Sequence, residues 1–407
     1  MNHLRHALWN AALATLVLLH VHAATSVFAQ APAEPIIGSR ESFAGPPTQP
    51  THVLSGHKYP VQAVAISPDM KTIASGGGMC KLPLTGKPGV GESITVKEMQ
   101  ALTQGEAFTW DLKTTKRKVT LSKPPGMVIG LSFTPNGKVI GGCLQNSPFA
   151  GGPPNPAVVF WDTAKGKPAH QYTGLSEPMA MAFLPDGKSV IIADRKRVMG
   201  AGFGDPAAFG PVGKKTALPD QGGGVIRVLQ YPALSVSQEI DLTKSDRTSI
   251  VHVDSQRVAY REEHKAHIID LATGQNVIVP AEFPQGRMRL SPDGKVIAIL
   301  SENEGEKHSL QFFSVENGAA IGKPAAVIAT WDPALAFSAD SQWLALTTGW
   351  ADDESLICVW DIANRKEIAR FAGHQGGVNA LALSNDDSIL VSGGNDKTVK
   401  IWKLPAK

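Results

Sequence analysis

The chain has 407 residues, including 40 glycines, 29 prolines and only 3 cysteines, and its formal net charge at pH 7 is +3. A charge this small excludes a protein that is drawn to nucleic acid or anionic lipid by a strong overall field. Aromatic residues make up 6% of the chain, which also disfavours an extended base-stacking surface. The glycines and prolines predict a fold with many turns.

Residues 1–29 have the pattern of a secretory signal peptide. Arg5 lies in a short polar start, an apolar stretch covers residues 11–21, and Val27 and Ala29 occupy the two positions that a signal peptidase reads. We therefore expect cleavage after Ala29 and a secreted or periplasmic location. The alternative is an N-terminal membrane anchor, although the apolar stretch is short for a span. Residues 30–50 are rich in proline and small residues and are interpreted as a flexible linker.

The most regular segment of the chain runs from Gly373 to Trp402. A Gly-His pair opens it, two alternating apolar runs follow, an Asn-Asp turn comes next, and a third run ends in tryptophan. Short alternating runs that are separated by turn residues predict β-strands with side chains on two faces. Weaker versions of the same unit recur upstream, and residues 51–407 divide into seven of them.

This order of Gly-His, strands, turns and a final Trp resembles the WD-repeat β-propeller family, closely at both ends of the chain and loosely through the third to fifth units. The resemblance implies an all-β, seven-bladed β-propeller over residues 51–407, here an exported, bacterial-type member. The segment from Thr51 to Leu54 matches the fourth strand that precedes Gly-His elsewhere. We therefore expect this N-terminal strand to complete the last blade and close the ring.

In this family a His, a Ser or Thr of the second strand, a turn Asp and a third-strand Trp form a hydrogen-bonded network. The residues expected in this network are His374, Ser392, Asp396 and Trp402 in the last blade, His57, Ser75 and Trp110 in the first, and Thr347 and Trp360, with Asp352 or Asp353, in the sixth. The first blade has no evident acid and the sixth has no His. We interpret the set as structural and not as a catalytic Asp-His-Ser triad, because a buried indole N–H requires an acceptor.

Three insertions, residues 78–106, 143–156 and 194–224, interrupt the first three blades between the second and third strands. Loops at this position emerge on one face of a propeller, so we expect a raised recognition patch there; neutral drift of tolerated loops is the alternative. The candidate partner-binding residues of the third insertion are Arg195, Lys196, Arg197, Met199, Phe203, Phe209, Lys214 and Lys215. A basic rim around apolar side chains suits an acidic peptide or polysaccharide, although such charge runs are commonly just solvated.

Other clusters favour simpler interpretations. Residues 86–93 mimic a phosphate-binding loop, but Glu92 stands where that loop needs a Lys. The acidic residues 352–354 are interpreted as an exposed turn, with calcium binding as the alternative. The residues Glu262, Glu263, His264 and His267 cross a strand-to-strand turn and are interpreted as a solvated hairpin instead of a metal site.

The cysteines allow one disulfide. Cys358 lies in an apolar run and is interpreted as a buried thiol. Cys80 and Cys143 follow the second strands of neighbouring units, so a bridge between them stays open for an exported protein.

These observations favour a non-enzymatic, exported interaction scaffold without cofactor or metal. We expect a monomer that binds a protein or an acidic polymer, binds no nucleic acid and does not insert into a membrane after signal cleavage. The alternatives are a propeller enzyme, such as a lactonase-like hydrolase or a lyase, and a sugar- or metal-binding module. His252 and Arg289 are the inner-strand residues that such an enzyme would use, and two residues are too few for a catalytic site in the channel.

Overall fold

The structure is a computed structural model that describes most of the chain after residue 35. The described residues are 36–39, 42–80, 103–122, 124, 126–145, 157–195, 223–242, 245–253, 256–282, 286–302, 308–329, 333–349 and 355–407. Within them all regular elements are β-strands, and no helix is long and apolar enough to span a membrane. The expected signal peptide and most of the three insertions lie outside the described residues.

The strands form seven antiparallel four-stranded sheets, which are the blades of a propeller. Blade 1 consists of β2 (Val61–Ile66), β3 (Thr72–Cys80), β4 (Thr103–Asp111) and β5 (Arg117–Leu121), blade 2 of β6 (Met127–Phe133), β7 (Val139–Gln145), β8 (Ala157–Asp162) and β9 (Pro168–Tyr172), and blade 3 of β10 (Pro178–Phe183), β11 (Ser189–Arg195), β12 (Gly224–Gln230) and β13 (Ser235–Leu242). Blade 4 consists of β14 (Ser245–Val253), β15 (Arg257–Glu262), β16 (Lys265–Asp270) and β17 (Asn276–Glu282), blade 5 of β18 (Gly286–Leu290), β19 (Val296–Glu302), β20 (His308–Ser314) and β21 (Ala320–Val327), and blade 6 of β22 (Leu335–Phe337), β23 (Trp343–Thr348), β24 (Ser355–Asp361) and β25 (Lys366–His374). Blade 7 consists of β26 (Val378–Leu383), β27 (Ile389–Gly394), β28 (Thr398–Lys403) and β1 (His52–Ser55).

The N-terminal strand closes the ring, as the sequence predicted. Strand β1 pairs antiparallel with β28, with His52 opposite Ile401 and Ser55 opposite Thr398. Blade 7 therefore combines the two ends of the propeller in one sheet. This pairing removes the open edge that β28 would otherwise present.

The hydrophobic core lies between neighbouring blades. Each adjacent pair of sheets shares one cluster of buried apolar side chains, so that seven clusters follow one another around the ring. Trp402, for example, is 1% exposed and packs with Trp343 and Phe371 between blades 6 and 7. Because successive residues of a strand point to opposite faces, one alternating sequence supplies the cores on both sides of its blade.

Residues 36–39 and 42–50, called the N-terminal strap below, pack along the outer edges of blades 5 and 6. The Ile37 N–H donates to the carbonyl of Ala326 at 2.9 Å, and Ile37 forms a parallel bridge with Val327. Farther along, Thr48 forms a parallel bridge with Phe371 of β25. The flexible-linker interpretation therefore does not describe these residues, because their backbone extends two sheets by short bridges.

The strap also covers a buried ion pair of blade 6. The Arg370 Nε donates to the Glu367 carboxylate at 2.7 Å, and both residues are buried. From the strap, the Ser39 carbonyl accepts a hydrogen bond from Arg370 at 2.7 Å, and the Ser42 hydroxyl donates to Glu367 at 2.8 Å. The side chain of Ile37 is 0% exposed and belongs to the cluster between blades 5 and 6. The strap is thus part of the packed fold.

Candidate functional site

In blade 7 the predicted network residues meet at the end of β25. His374 Nε2 lies 2.7 Å from Ser392 Oγ, and the Trp402 indole N–H donates to the same oxygen at 2.8 Å. The other ring nitrogen, Nδ1, lies 3.0 Å from the Asp396 carboxylate. Because a carboxylate only accepts, we assign the imidazole proton to Nδ1. Nε2 then accepts a hydrogen bond from the Ser392 hydroxyl, and the Ser392 oxygen accepts one from the indole. Each of these polar atoms therefore has a hydrogen-bond partner.

The electrostatics of this network hold it in one protonation state. Burial lowers the pKa of His374 more than the Asp396 carboxylate raises it. Burial alone would raise the pKa of Asp396, but hydrogen bonds from His374, Lys400 and Thr398 hold it well below its usual range. Ser392 is 0% exposed, so no substrate reaches its hydroxyl. The network therefore joins β25, β27 and β28 as a structural link.

Blade 1 contains the same network with a glutamate as its acid. His57 Nε2 and the Trp110 indole both lie 2.7 Å from Ser75 Oγ, and His57 Nδ1 lies 3.0 Å from Glu106 Oε1. Glu106 also accepts the backbone N–H of Tyr59 at 2.9 Å. Burial alone would raise the pKa of Glu106, but the hydrogen bonds from His57 and Tyr59 outweigh it and the pKa is lowered.

Glu106 is the network residue that the sequence analysis missed. It lies at the end of the expected first insertion, residues 78–106, whereas β4 begins at Thr103 and carries Glu106 opposite Gly77. Asp396 reaches its His from the turn before β28, while Glu106 reaches from the strand itself with one additional methylene. A glutamate shortly before the third-strand Trp is the signal that would have identified it.

In blade 6 the structure differs from the predicted pairing. Thr347 Oγ1 accepts the backbone N–H of Ala334 at 2.9 Å. The buried indole N–H of Trp360 has no hydrogen-bond partner among the residues that the structure describes. Asp352 and Asp353 lie outside the described residues.

The strand register explains this correction. In blade 7, Trp402 lies opposite Leu390, and Ser392 follows two positions later on the same face. In blade 6, Trp360 lies opposite Leu344, so the equivalent position is Leu346 and not Thr347. Because the side-chain period of a strand is two, a shift by one residue turns Thr347 to the other face.

The bases of the three insertions adjoin one another on the face that carries His57. At the first base, Gly78 pairs with Gly105, and a Cβ on Gly78 would lie 2.9 Å from Met127 Cα of blade 2. Met127 pairs with Gln145 at the second base, and Gln145 donates to the Pro178 carbonyl of blade 3 at 3.1 Å. Pro178 in turn lies opposite Asp194 at the third base. At Gly78 the two blades are so close that a side chain would not fit. Together these contacts link the bases of the three insertions into one continuous rim.

Charged side chains fix the base of the third insertion. The Arg195 Nε donates to Glu177 at 2.9 Å, and Arg227 Nη1 donates to Asp194 at 3.0 Å. Asp194 is 2% exposed and also accepts the N–H of Glu177 at 2.8 Å. Arg195 is thus paired with an acid and adds little net charge to the predicted basic rim. The remaining candidate binding residues, Lys196, Arg197, Met199, Phe203, Phe209, Lys214 and Lys215, lie outside the described residues, as do residues 86–93.

The Glu262 to His267 segment forms the hairpin that the sequence predicted. Glu262 pairs with Lys265, and the two residues between them have positive φ angles of 47° and 63°, as expected for a two-residue hairpin turn. His267 stacks on Tyr260 with ring centroids 5.0 Å apart. Among the described residues no three His, Cys, Asp or Glu side chains come close enough together to hold a metal ion.

The described thiols are buried and free. Cys143 packs between blades 2 and 3, and Cys358 packs between blades 5 and 6. Burial raises the pKa of both thiols. Because Cys143 is free, the disulfide with Cys80 that the sequence left open is not formed.

Comparison with known proteins places the similarity at the closure of the ring. The family model described as WD domain, G-beta repeat matches residues 48–82 and 365–403. Over 84 residues the chain is 32% identical to "Protein ROOT INITIATION DEFECTIVE 3" of Arabidopsis thaliana, which covers 20% of this chain and 19% of that protein. Over 110 residues it is 33% identical to "Transcription factor unc-37" of Caenorhabditis elegans, covering 24% of this chain and 18% of the relative.

A third relative is "Small ribosomal subunit protein RACK1" of Neurospora crassa, which is 33% identical over 75 residues, or 18% of this chain and 23% of that protein. The chain therefore spans about a fifth of the length of these curated relatives. The matched repeats lie in the blades that carry the complete hydrogen-bonded networks. The chain is thus a seven-bladed β-propeller whose residues 48–82 and 365–403 match the WD repeat.

Proposed function

We propose that this protein is a non-enzymatic interaction scaffold that binds a protein partner on the face where the insertions of blades 1 to 3 emerge. The observation that carries the proposal is the continuous rim from Gly78 to Asp194, on which three consecutive insertions are anchored. Long loops on a rigid frame are the usual place for recognition. One relative is a protein of the small ribosomal subunit, that is, a component of a larger assembly.

The network chemistry supports a scaffold over an enzyme. In both complete networks the serine is 0% exposed, and its oxygen contacts a histidine and an indole. A nucleophile needs an open path to its substrate, and neither serine has one.

The partner surface is proposed to be acidic. Since Arg195 is paired with Glu177, the charge that remains in the third insertion comes from Lys196, Arg197, Lys214 and Lys215. These residues, with Phe203 and Phe209 beside them in sequence, suit an acidic protein segment, and an acidic polysaccharide is the second class to test. We further propose that the protein is exported, is cleaved after Ala29 and acts as a monomer.

The test is affinity capture from cell-envelope extracts with the mature protein as bait. In the test variant a short Gly-Ser turn replaces residues 197–222, which keeps Asp194, Arg195 and Arg227 intact. The matched control replaces residues 303–307, the loop between the second and third strands of blade 5, in the same way. We expect one partner, identified by mass spectrometry, to be retained by the parent and the control and lost by the test variant.

Thermal unfolding of all three proteins accompanies the capture, since only folded variants are compared. Equal capture by the test variant would contradict the proposed face. Turnover of any compound in a panel of lactones and glycosides would contradict the non-enzymatic proposal. N-terminal sequencing of the protein from the host tests cleavage after Ala29.

A further inference from the structure

The inner strands of the seven blades place one residue each at the same level of the central channel. Residues are assigned to the same level when they pair with equivalent residues on the second strands of their blades. Its members are Ala65, Ser132, Ala182, His252, Arg289, Ala336 and Ala382. Five blades therefore have alanine or serine at this level, where the strands converge on the axis. Neighbouring blades 4 and 5 place His252 and Arg289 there instead.

Strand β18 carries a second arginine on the same face. Met288 and Leu290 are buried in the cluster between blades 4 and 5. Because side chains alternate along a strand, Arg287 and Arg289 project from the opposite face, on the side of blade 6. Arg287 is exposed and Arg289 is half-buried. Residues two apart on a strand are separated by about 6–7 Å, and the positive charge of Arg287 acts on Arg289.

Acidic residues are scarce on the inner strands. In sequence, the seven inner strands contain one acidic residue, Asp246 near the start of β14. Among the described residues, Arg289 has no hydrogen bond or ion pair. Burial, together with the like charge of Arg287, lowers the pKa of Arg289 to about 10. A half-buried guanidinium without a counter-charge costs free energy, and an anion that binds it recovers that cost.

We propose that Arg289 forms an oxyanion-binding site in the central channel that takes a small phosphate or carboxylate compound. The planar guanidinium presents several donors in a fork that matches the oxygens of either group. The residues that share this level are mostly alanines, which leave space and add no other recognition group.

The site is independent of the proposed scaffold function. It lies on the inner strands, whereas the proposed partner surface lies on the insertions. The variant with residues 197–222 replaced should therefore bind anions like the parent protein. Loss of partner capture with retained anion binding, or the reverse, shows which of the two proposals fails.

The test is isothermal titration of the full chain with inorganic phosphate and with succinate, at constant ionic strength set by chloride. We expect saturable binding of at least one anion and a matching rise in Tm. Arg289→Gln should weaken this binding by at least about tenfold, the effect of losing a charge-assisted hydrogen bond. Arg117→Gln is the matched control, because it removes the same charge from β5 at the outer edge of blade 1.

Two results of the titration would overturn the proposal. One is the absence of saturable binding by the parent protein, which needs no variant to be folded. The other is equal binding by Arg289→Gln and the parent. A Glu-rich peptide titrated in parallel identifies the other source of a carboxylate: binding of the peptide alone, dependent on Arg289, would replace the small anion by a partner's side chain.

A second measurement separates this site from a structural role of Arg289. In anion-free buffer the Arg289→Gln protein should have a Tm equal to or above that of the parent, because an uncompensated charge is removed. Added phosphate should then raise the Tm of the parent only. A lower Tm for Arg289→Gln without anion would show that Arg289 stabilises the fold through protein contacts, and it would contradict the proposal.

Discussion

Glu106 contacts Nδ1 of His57 in blade 1 in the same way that Asp396 contacts Nδ1 of His374 in blade 7. In both blades a carboxylate lies 3.0 Å from Nδ1 of the histidine, and a serine lies 2.7 Å from Nε2. The acids come from different places, one from a strand and one from a turn. The arrangement of the network, an imidazole between a carboxylate and a hydroxyl, is therefore kept while its sequence spacing changes.

This equivalence predicts that Glu106 is a stability residue. Glu106→Ala leaves His57 Nδ1–H and the backbone N–H groups of Lys58 and Tyr59 without their acceptor. We expect the free energy of unfolding to fall by about 1–3 kcal/mol, measured by urea denaturation. Glu282→Gln, a change at an exposed outer-strand position, is the control and should change it by less than about 0.5 kcal/mol. Equal values for the two variants would contradict the role of Glu106.

Two of the buried tryptophans, Trp402 and Trp360, predict different costs for the same substitution. Trp402→Phe removes the donor to Ser392 and should destabilise the fold by about 1–3 kcal/mol. Trp360→Phe deletes an indole N–H that has no partner within the described part of the chain, so its cost should be smaller by about 1 kcal/mol or more. Chemical denaturation of both variants measures this difference directly. A larger loss for Trp360→Phe would show that its N–H is satisfied in solution.

Stability should fall on acidification in two stages. Burial lowers the pKa of His374, His267 and His308 in the folded protein. The unfolded chain therefore binds more protons as the pH drops through about 6.5, the ordinary value for histidine, and unfolding is favoured. The folded-state pKa values of Asp396 and Glu106 are also lowered, so their contribution is present at neutral pH and is lost as the pH falls below about 4.

Urea denaturation between about pH 8 and pH 4 tests this sign. We expect the free energy of unfolding to decrease steadily over that range, and His374→Gln should show a weaker decrease through the first stage. A protein that becomes more stable between about pH 7.5 and pH 5.5 would contradict the neutral state assigned to the buried histidines.

The sequence was sufficient for the repeated part of the fold. Alternation, turn residues and the Gly-His and Trp positions predicted the seven blades and the closing strand β1, because these signals are local. The blade 6 network could not be placed in the same way. There, Thr347 and Leu346 differ by one position, and only the register opposite Trp360 decides which of them faces the indole.

The sequence also did not predict the long-range contacts of the strap. Proline and small residues between residues 30 and 50 favoured a linker. The strap is instead held by backbone hydrogen bonds to blades 5 and 6, by hydrogen bonds of Ser39 and Ser42 to the buried ion pair of blade 6, and by the buried Ile37. Composition carries no information on which distant sheet edge a segment meets. Similarly, nothing in the sequence near Arg195 marks its pairing with Glu177, which lies just before β10.

The strap provides a prediction with neighbouring residues as test and control. Ile37 is 0% exposed and packs among Leu310, Val327 and Leu335, whereas Ile36 is 38% exposed. Ile37→Ala should lower the free energy of unfolding by about 2–4 kcal/mol, through lost burial and the cavity left behind. Ile36→Ala should change it by less than about 0.5 kcal/mol. If the strap were a flexible linker, the two variants would unfold at the same urea concentration. A selective loss for Ile37 instead means that the segment contributes to the core of blades 5 and 6, so deleting residues 30–50 would also uncover the buried pair of Glu367 and Arg370.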